Sequence, residues 1–478
     1  MHSMISNDPS IKGRNPLRDL GKWVSNINPS VFLFLAALLA IIFANTSLLG
    51  IYSSILDAPV NLQIGDFKFF QVHGRAMTVS EFVNDALMAL FFFNVGLEIK
   101  REIVSGSLSS VRKAMLPVIA AVGGMLIPVL FFLIVENQDP IALRGVAIPM
   151  ATDIAFSLAV LGLLGNRVPT TLKVFLMALA VVDDIGGILV IAIFYSNGIS
   201  ILPLCLGLLF ILISIFFSRR GVVNSGIYYL LFFIVWSFFM HSGIHSTIAG
   251  VLMALTIPHK PTIRPDELEG DMRKIDARVA IAKQPGYVQR TFLNADQLED
   301  IQRIQKRLQR TMSPVQVMEH EITPIVNYIV LPLFAFANSG ITLDGVGDPH
   351  TIGIALAVAF GLFFGKTFGI FGFTYLFSRL KVIKLTPGIT VGNLFGISIF
   401  GGIGFTVSLF IATLAYSHIG AEAAEYLNMA KLGIVAGTIM SGIVGVFVLN
   451  RILKHEEKHG KGSASSEYKE YIAQMAAR

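Results

Sequence analysis

Apolar residues run in long uninterrupted stretches along this chain instead of alternating with polar ones. About 20 consecutive apolar residues cross a bilayer as a helix, and windows of that length predict about twelve membrane spans. The predicted spans lie near residues 30–50, 80–99, 114–135, 145–165, 171–195, 199–217, 225–241, 243–257, 322–339, 352–377, 388–415 and 428–450. We therefore expect an all-α integral membrane protein.

Polar stretches divide these spans into segments. We expect an N-terminal cytoplasmic segment, spans one to eight, a charged cytoplasmic insert, spans nine to twelve and a cytoplasmic tail, at 1–29, 30–257, 258–317, 318–450 and 451–478. In the insert, Leu298, Ile301, Ile304 and Leu308 recur at helical spacing beside basic residues, which predicts an amphipathic helix. Such a helix fits the inner membrane surface or a partner, and a solvated linker fits equally well.

The first predicted outer loop contains a β-hairpin at residues 59–72. Polar and apolar residues alternate on both sides of Gly65-Asp66, which supplies a two-residue turn. An exposed hairpin is marginally stable alone. It is therefore expected to contact either a second subunit or its own helix bundle.

Composition and charge exclude several classes of protein. The chain is 54% hydrophobic and 14% charged, with a mean hydropathy of +0.69, which excludes soluble and disordered proteins. With a cytoplasmic N-terminus, the predicted outer loops carry only Lys68, Arg75 and Arg144. This asymmetry obeys the positive-inside rule, with both termini cytoplasmic. It also explains the net charge of +6 without nucleic acid.

Asp183 and Asp184 lie in the middle of the fifth span, within an otherwise apolar run from Val174 to Phe194. One Asp at that depth costs about 3 kcal/mol on insertion scales, so it indicates function. Adjacent helical residues point about 100° apart, so one carboxylate can pair with the buried Lys366 while the other faces an aqueous cavity. A packed polar pair and an ion pair without a transport role stay open.

Two predicted spans carry signals for a break at membrane depth. In the fourth, Pro149 removes a backbone donor just before Thr152 and Asp153. In the eleventh, Gly402 and Gly404 lower helix propensity. Half-helix ends meeting there would expose partial charges, with Asp153 near N-terminal ends and Lys366 near C-terminal ends.

These groups suit a small hard cation that competes with a proton. Carboxylate and backbone oxygens favour Na⁺ or Li⁺, and no thiolate or imidazole pair indicates a transition metal. We therefore expect Na⁺ and H⁺ as substrates, a lipid environment and no cofactor. Charged residues placed toward the cytoplasmic ends are candidates for an inner funnel or pH sensor: Asp85, Glu98, Glu102, Glu319 and His320. His245, near the outer face, fits a satisfied polar contact better than a transport role.

Several stretches together resemble the NhaA sodium/proton antiporters of bacterial inner membranes. The resemblance rests on residues 84–88, 95–102, 151–156, 175–180, 183–184, 245–250, 331–338, 365–366 and 402–406, which occur in order along the chain. It implies inverted repeats in spans three to five and ten to twelve, with spans four and eleven broken and crossing, an established property of that family.

The resemblance also implies roles for individual residues. Asp184 would be the main ion and proton carboxylate, Asp183 its neighbour paired with Lys366, and Thr152 and Asp153 would complete the centre. It implies electrogenic exchange that is active at alkaline pH, and a homodimer through residues 59–72. This chain departs from the family pattern by its long insert, by 316–318 before Glu319, and by Thr323 in place of a second histidine.

Three other functions fit the sequence less well than exchange does. An intramembrane aspartyl protease needs two facing carboxylates from different helices, whereas Asp183 and Asp184 are adjacent. A channel fits poorly with a buried lysine beside titrating acids. A proton-coupled symporter for an organic anion would use arginines in its cavity, and the sequence places no arginine at membrane depth.

Overall fold

The chain folds mainly into helices, and a computed structural model describes residues 28–61, 63–64, 67–68, 70–72, 75–136, 139–195, 198–261, 302, 311–342, 351–416 and 422–458. In chain order the helices are α1 (Pro29–Ala44), α2 (Leu49–Leu56), α3 (Val79–Val104), α4 (Val111–Val135), α5 (Ala142–Met150, a 3₁₀ helix), α6 (Ile154–Gly162), α7 (Thr170–Phe194), α8 (Ile201–Arg219), α9 (Ser225–Ser242), α10 (Thr247–Thr256), α11 (Pro314–Asn338), α12 (Ile352–Arg379), α13 (Val391–Phe400), α14 (Phe405–Tyr416) and α15 (Glu422–Lys458). The amphipathic helix predicted in the insert lies outside the described residues.

The described helices have the length and apolarity of a multi-pass membrane protein. Eight of them are long and apolar enough to cross a bilayer, or up to 11 spans if each of three bent pairs counts as one. The shorter apolar helix α10 has 10 residues. Apolar side chains on the outside of the bundle, such as Leu163, Ile193 and Leu202, are more than two-thirds exposed. A surface this apolar is expected to face lipid.

The first predicted span is interrupted. Helix α1 ends at Ala44, and the chain then turns by 118° into α2 instead of continuing straight to residue 50. Asn45 stabilises this end, because its side-chain amide donates to the carbonyl oxygens of Ile41 at 2.8 Å and Ile341 at 2.7 Å. A polar group that caps the helix and ties it to the chain after α11 therefore sets where α1 stops.

Short strands follow α2, and their pairing extends beyond the predicted hairpin. Strands β2 (Gln63–Ile64) and β3 (Phe67–Lys68) pair antiparallel, with Gln63 opposite Lys68. The flanking strands β1 (Pro59–Val60) and β4 (Gln71–Val72) both pair with β5 (Arg75–Thr78). The predicted segment 59–72 is therefore only part of the arrangement, because β5 lies outside it. Thr78 then caps α3, accepting from the Glu81 backbone N–H.

Candidate functional site

Two broken spans meet inside the bundle. Helices α5 and α6 are separated by residues 151–153, and α13 and α14 by residues 401–404, and each pair is bent by 48°. The breaks occur where the sequence weakens a helix: Pro149 lies beside the first, and three glycines lie within the second. The structure thus places an interruption in both segments where the sequence predicts one.

Each broken span is bonded to the other through its free backbone groups. The Asp153 backbone N–H donates to the Ile403 carbonyl oxygen at 2.7 Å. Two serines form a reciprocal pair of contacts: Ser157 on α6 donates to the Phe400 carbonyl at 3.1 Å, and Ser408 on α14 donates to the Ile148 carbonyl at 3.0 Å. These bonds satisfy carbonyls that a broken helix leaves without partners in a lipid environment.

Asp153 lies at the N-terminal ends of two half-helices, α6 and α14. Its Oδ1 accepts from the Phe156 backbone N–H at 2.9 Å, which makes it the N-cap of α6. Its Oδ2 accepts from the Thr406 backbone N–H at 3.0 Å and from the Thr406 hydroxyl at 2.5 Å. A carboxylate that receives donors from two helix N-termini is stabilised by both helix dipoles. Asp153 therefore holds the crossing together, and its part in ion binding stays a prediction.

Asp183 forms a buried ion pair with Lys366. The Lys366 Nζ lies 2.6 Å from Asp183 Oδ2, and both side chains are fully buried. The Thr152 hydroxyl lies 2.8 Å from the same oxygen and 2.9 Å from the Gly401 carbonyl oxygen. The other carboxylate oxygen, Asp183 Oδ1, has no hydrogen-bond partner within the described part of the chain. The structure thus pairs Lys366 with Asp183, as the family resemblance implies.

A π-helical turn and a close backbone approach bring Lys366 to this position. The turn covers Gly361–Gly365, directly before Lys366 in α12, and such turns often occur at functional sites. An added Cβ would lie 2.6 Å from Pro128 Cα at Gly365, and 2.7 Å from Pro149 Cβ at Gly361. Only glycine allows α12 to approach α4 and α5 this closely.

Asp184 points into a different environment from its neighbour. It is 5% exposed, and the described residues offer its carboxylate no hydrogen bond or ion pair. It lines a small cavity with Asp183, and the walls are apolar: Phe92, Ala151, Gly187, Ile188, Ile191 and Val407. The cavity volume is about 10 Å³, close to what one water molecule or a bare small cation needs.

A second charged group lies further along α3, and we name Glu98, Arg101, Glu102 and Glu319 the Arg101 cluster. The Arg101 guanidinium donates to Glu319 on α11 and lies 3.5 Å from Glu102 Oε1. Glu98 accepts from the Asn94 side-chain amide at 2.9 Å. Three acidic residues predicted for the funnel are therefore brought together. His320 is exposed and contributes no described contact to the cluster.

Asp85 does not belong with this group. It lies in the π-helical turn Val83–Leu87 near the other end of α3, about 20 Å from Glu98 at 1.5 Å of rise per residue. There it accepts from the Ser246 hydroxyl at 3.4 Å. The grouping of Asp85 with Glu98 and Glu102 was wrong, because the helix runs continuously through the bundle and carries them to opposite ends.

His245 lies near the Asp85 end of the molecule. Its Nδ1 is 3.4 Å from the Thr247 hydroxyl, and its ring packs nearly perpendicular to that of Phe410 at a centroid distance of 5.7 Å. These contacts fit the satisfied polar role that the sequence suggests. The structure does not bring His245 into contact with either aspartate at the centre.

Sequence reasoning missed the roles of four polar residues. Ser157, Thr406 and Ser408 join the broken spans, and Asn94 bonds Glu98 in the Arg101 cluster. All four are 3% exposed or less. Asn94 and Ser157 stand inside predicted apolar spans, and a polar side chain there commonly bonds across helices. That signal was present in the sequence, but the partner helix could not be read from it.

Comparisons with known proteins all match this chain to Na⁺/H⁺ antiporters. The family model described as Na⁺/H⁺ antiporter 1 matches residues 24–449. The chain is 50% identical over 438 residues to the Na(+)/H(+) antiporter NhaA of Porphyromonas gingivalis, covering 91% of this chain and 96% of that protein. It is 46% identical over 442 residues to the protein of that name from Parabacteroides distasonis, covering 92% and 97%. With the Na(+)/H(+) antiporter NhaA 1 of Klebsiella pneumoniae, identity is 40% over 429 residues, covering 89% and 94%.

Proposed function

This chain belongs to the Na⁺/H⁺ antiporter 1 family, which confirms the resemblance, and from that premise we propose that it exchanges cytoplasmic Na⁺ or Li⁺ for external H⁺. It is a secondary active transporter, not an enzyme. The exchange is electrogenic and regulated by pH, and it serves sodium and pH homeostasis. These finer properties follow the family resemblance.

The observation that carries the proposal is the difference between the two adjacent carboxylates. Lys366 offsets the charge of Asp183 at 2.6 Å. Asp184 is equally deep, and no basic side chain in the described residues is paired with it. An uncompensated charge in a nonpolar interior is very costly. Asp184 must therefore hold either a proton or a cation, and competition between the two is the chemistry of an exchanger.

The available ligands suit an alkali cation. Asp183 and Asp184 line one small cavity, Asp183 Oδ1 has no hydrogen-bond partner among the described residues, and Thr152 lies beside Asp183. All are oxygen donors, which bind hard cations such as Na⁺. We assign Asp184 as the main carrier, with Asp183 as its neighbour, and Thr152 and Asp153 as supports of the site. Na⁺ is cargo here, bound and released in each cycle.

The twelve-span fold with inverted repeats is part of this proposal. It counts the long helices, the three bent pairs and α10 as spans. The repeat is supported by the equal bends of the two broken spans and by the reciprocal bonds from Ser157 and Ser408. Rocking of such repeats about a central site would expose Asp184 alternately to the two sides.

We place the protein in the bacterial inner membrane with both termini in the cytoplasm, because basic residues are concentrated in the loops on that side. The Arg101 cluster then lies at the cytoplasmic end, where it forms a funnel and senses pH together with His320. Asp85 and His245 lie toward the outside. A homodimer forms through the strands within 59–72, since the edge strands β1 and β4 offer backbone groups for pairing.

The test is Na⁺-induced collapse of a pH gradient in everted membrane vesicles. We expect the unaltered protein to collapse the gradient on addition of NaCl and Asp184→Asn to show no collapse, because an amide neither titrates nor carries the charge that a cation must balance. Asp57→Asn, at the end of α2, is the matched control and should retain exchange. Undiminished exchange by Asp184→Asn would remove Asp184 as the carrier.

A further inference from the structure

Asn94 is a buried amide that links Glu98 to another helix. It is 3% exposed in the middle of α3. Its Nδ2 donates to Glu98 Oε1 at 2.9 Å, and its Oδ1 accepts from the Thr323 hydroxyl of α11 at 3.0 Å. The same hydroxyl lies 2.7 Å from the Glu319 carbonyl oxygen. Hydrogen bonds thus connect the Glu98 carboxylate through Asn94 to Thr323 of α11, whose single hydroxyl proton can go to either Asn94 Oδ1 or the Glu319 carbonyl oxygen.

The charged groups around Glu98 come from three elements. Its own helix contributes Arg101 and Glu102, α11 contributes Glu319, and α7 contributes Asp184. His320 and Glu321 of α11 are exposed. Helix α10 packs along α3 and has no titratable side chain. The Arg101 guanidinium is engaged by Glu319. Among the described residues, Asn94 supplies the one direct hydrogen bond to the Glu98 carboxylate.

The amide can serve both protonation states of Glu98, but in different orientations. A carboxylate only accepts, so ionised Glu98 takes the Nδ2–H that the structure shows, and Oδ1 is left for Thr323. A protonated carboxyl can donate, so neutral Glu98 would favour Oδ1 after a half-turn of the amide. Nδ2 would then donate to the Thr323 hydroxyl oxygen, and that hydroxyl would donate its proton to the Glu319 carbonyl oxygen. Glu98, Asn94 and Thr323 have hydrogen-bond partners in both arrangements.

We propose that Asn94 and Thr323 are positioning residues for exchange, which hold the Glu98 carboxylate in place and couple its protonation state to α11. The inference rests on the proposed function. Helices α3 and α7 pack together through Val95, Ile99 and Val181. Glu98 and Asp184 each lie three residues beyond one of these contacts and so near the same helix face, and two ionised carboxylates on packed helices repel each other. Orienting Glu98 therefore affects how readily Asp184 exchanges a proton for a cation.

The orientation in the structure predicts the direction of the effect. Asn94→Leu has a similar shape but removes the donor that favours ionised Glu98. A hydrogen bond to a charged carboxylate is stronger than one from a neutral carboxyl, so without Asn94 the Glu98 side chain stays protonated to higher pH and repels ionised Asp184 less. Asp184 then releases its proton more readily, and the pH of half-maximal exchange moves downward by about half a unit or more. The maximal rate at the new optimum is retained, because Asn94 does not touch the site at Asp184. Thr323→Val moves the midpoint in the same direction by a smaller amount, because the amide loses its anchor.

The experiment is Na⁺-driven H⁺ movement in proteoliposomes, measured from acid to alkaline pH. The variants are Asn94→Leu, Thr323→Val, both together, and Thr323→Ser, which keeps a hydroxyl and should restore the original midpoint. The double variant should shift no further than Asn94→Leu, because both changes interrupt the same set of hydrogen bonds. Thr374→Val is the matched control: its buried hydroxyl donates to Ile370 of its own helix, so the midpoint should not move.

Several results would overturn the inference: unchanged midpoints in Asn94→Leu and Thr323→Val, additive shifts in the double variant, or no recovery in Thr323→Ser. A purely structural role would lower thermal stability without moving the midpoint. If Asn94→Leu does not fold, the comparison of Thr323→Val with Thr323→Ser decides. Absence of Na⁺-driven exchange by the unaltered protein at every pH would instead defeat the proposed function, so the two failures are distinguishable.

Discussion

Two ion pairs in this molecule share the same chemistry but not the same surroundings. In the centre, Lys366 pairs with Asp183, and the side chains of both are 0% exposed. In the Arg101 cluster, Arg101 pairs with Glu319, with side chains 32% and 13% exposed. The first pair lies among breaks in two spans, and the second joins α3 to α11 where water reaches it.

The comparison shows why the centre and the cluster should respond differently to mutation. A fully buried charge left without its partner has no solvent to stabilise it, so breaking such a pair is strongly destabilising. A partly exposed pair contributes little, because water and salt compete with it. In the centre, each charged side chain therefore needs a partner of opposite charge. In the cluster, a side chain can lose its charge with little loss of stability.

The largest effect is expected for Lys366→Ala. It leaves Asp183 buried without its cation, and the free energy of unfolding should fall by about 3–5 kcal/mol, with a shifted pH profile of exchange. Thermal unfolding of the purified protein in detergent and the vesicle assay measure the two effects. The double variant Asp183→Asn with Lys366→Met should recover part of the stability. An unaltered melting temperature and profile in Lys366→Ala would contradict the importance of the pair.

An intermediate effect is expected for Thr406→Val at the crossing of the broken spans. The change removes the hydroxyl donor to Asp153 but keeps the Thr406 backbone donor at 3.0 Å. The loss should be about 1–3 kcal/mol, the usual result of removing one partner of a buried charged acceptor, and exchange should slow. Thermal unfolding checks this against Thr374→Val. Equal melting temperatures for these two variants would show that the hydrogen bond from the Thr406 hydroxyl to Asp153 stabilises the fold no more than a bond within one helix does.

The smallest effect is expected for Arg101→Gln in the cluster. Because the pair with Glu319 is partly exposed, the loss should be about 1 kcal/mol or less and should shrink further in high salt. Thermal unfolding at low and high ionic strength measures it. A loss as large as that of Lys366→Ala would mean that water does not reach the cluster, and the contrast between the two pairs would fail.

Much of the site could be predicted from residue type and position in a span. Asp183, Asp184 and Lys366 are costly at membrane depth, and that cost alone singled them out. The 100° between adjacent helical residues indicated that one of the two aspartates pairs with Lys366, and the family resemblance implied that it is Asp183. Asp85 shows the limit of this reasoning. The end of the helix bundle at which a side chain lies depends on the path of its helix, and residue type does not reveal it.

The sequence by itself determined that apolar segments must cross a membrane, that two of them are interrupted, and that acids at their centre need partners. These follow from local properties: hydropathy, glycine and proline propensity, and the cost of buried charge. Only the tertiary structure decided which oxygen of Asp183 is used, that Ser157 and Ser408 join the broken spans reciprocally, and that Asn94 connects Glu98 to Thr323. Those contacts depend on how distant helices pack, and residues such as Asn94 and Thr323, 229 positions apart, carry no local signal that names the partner.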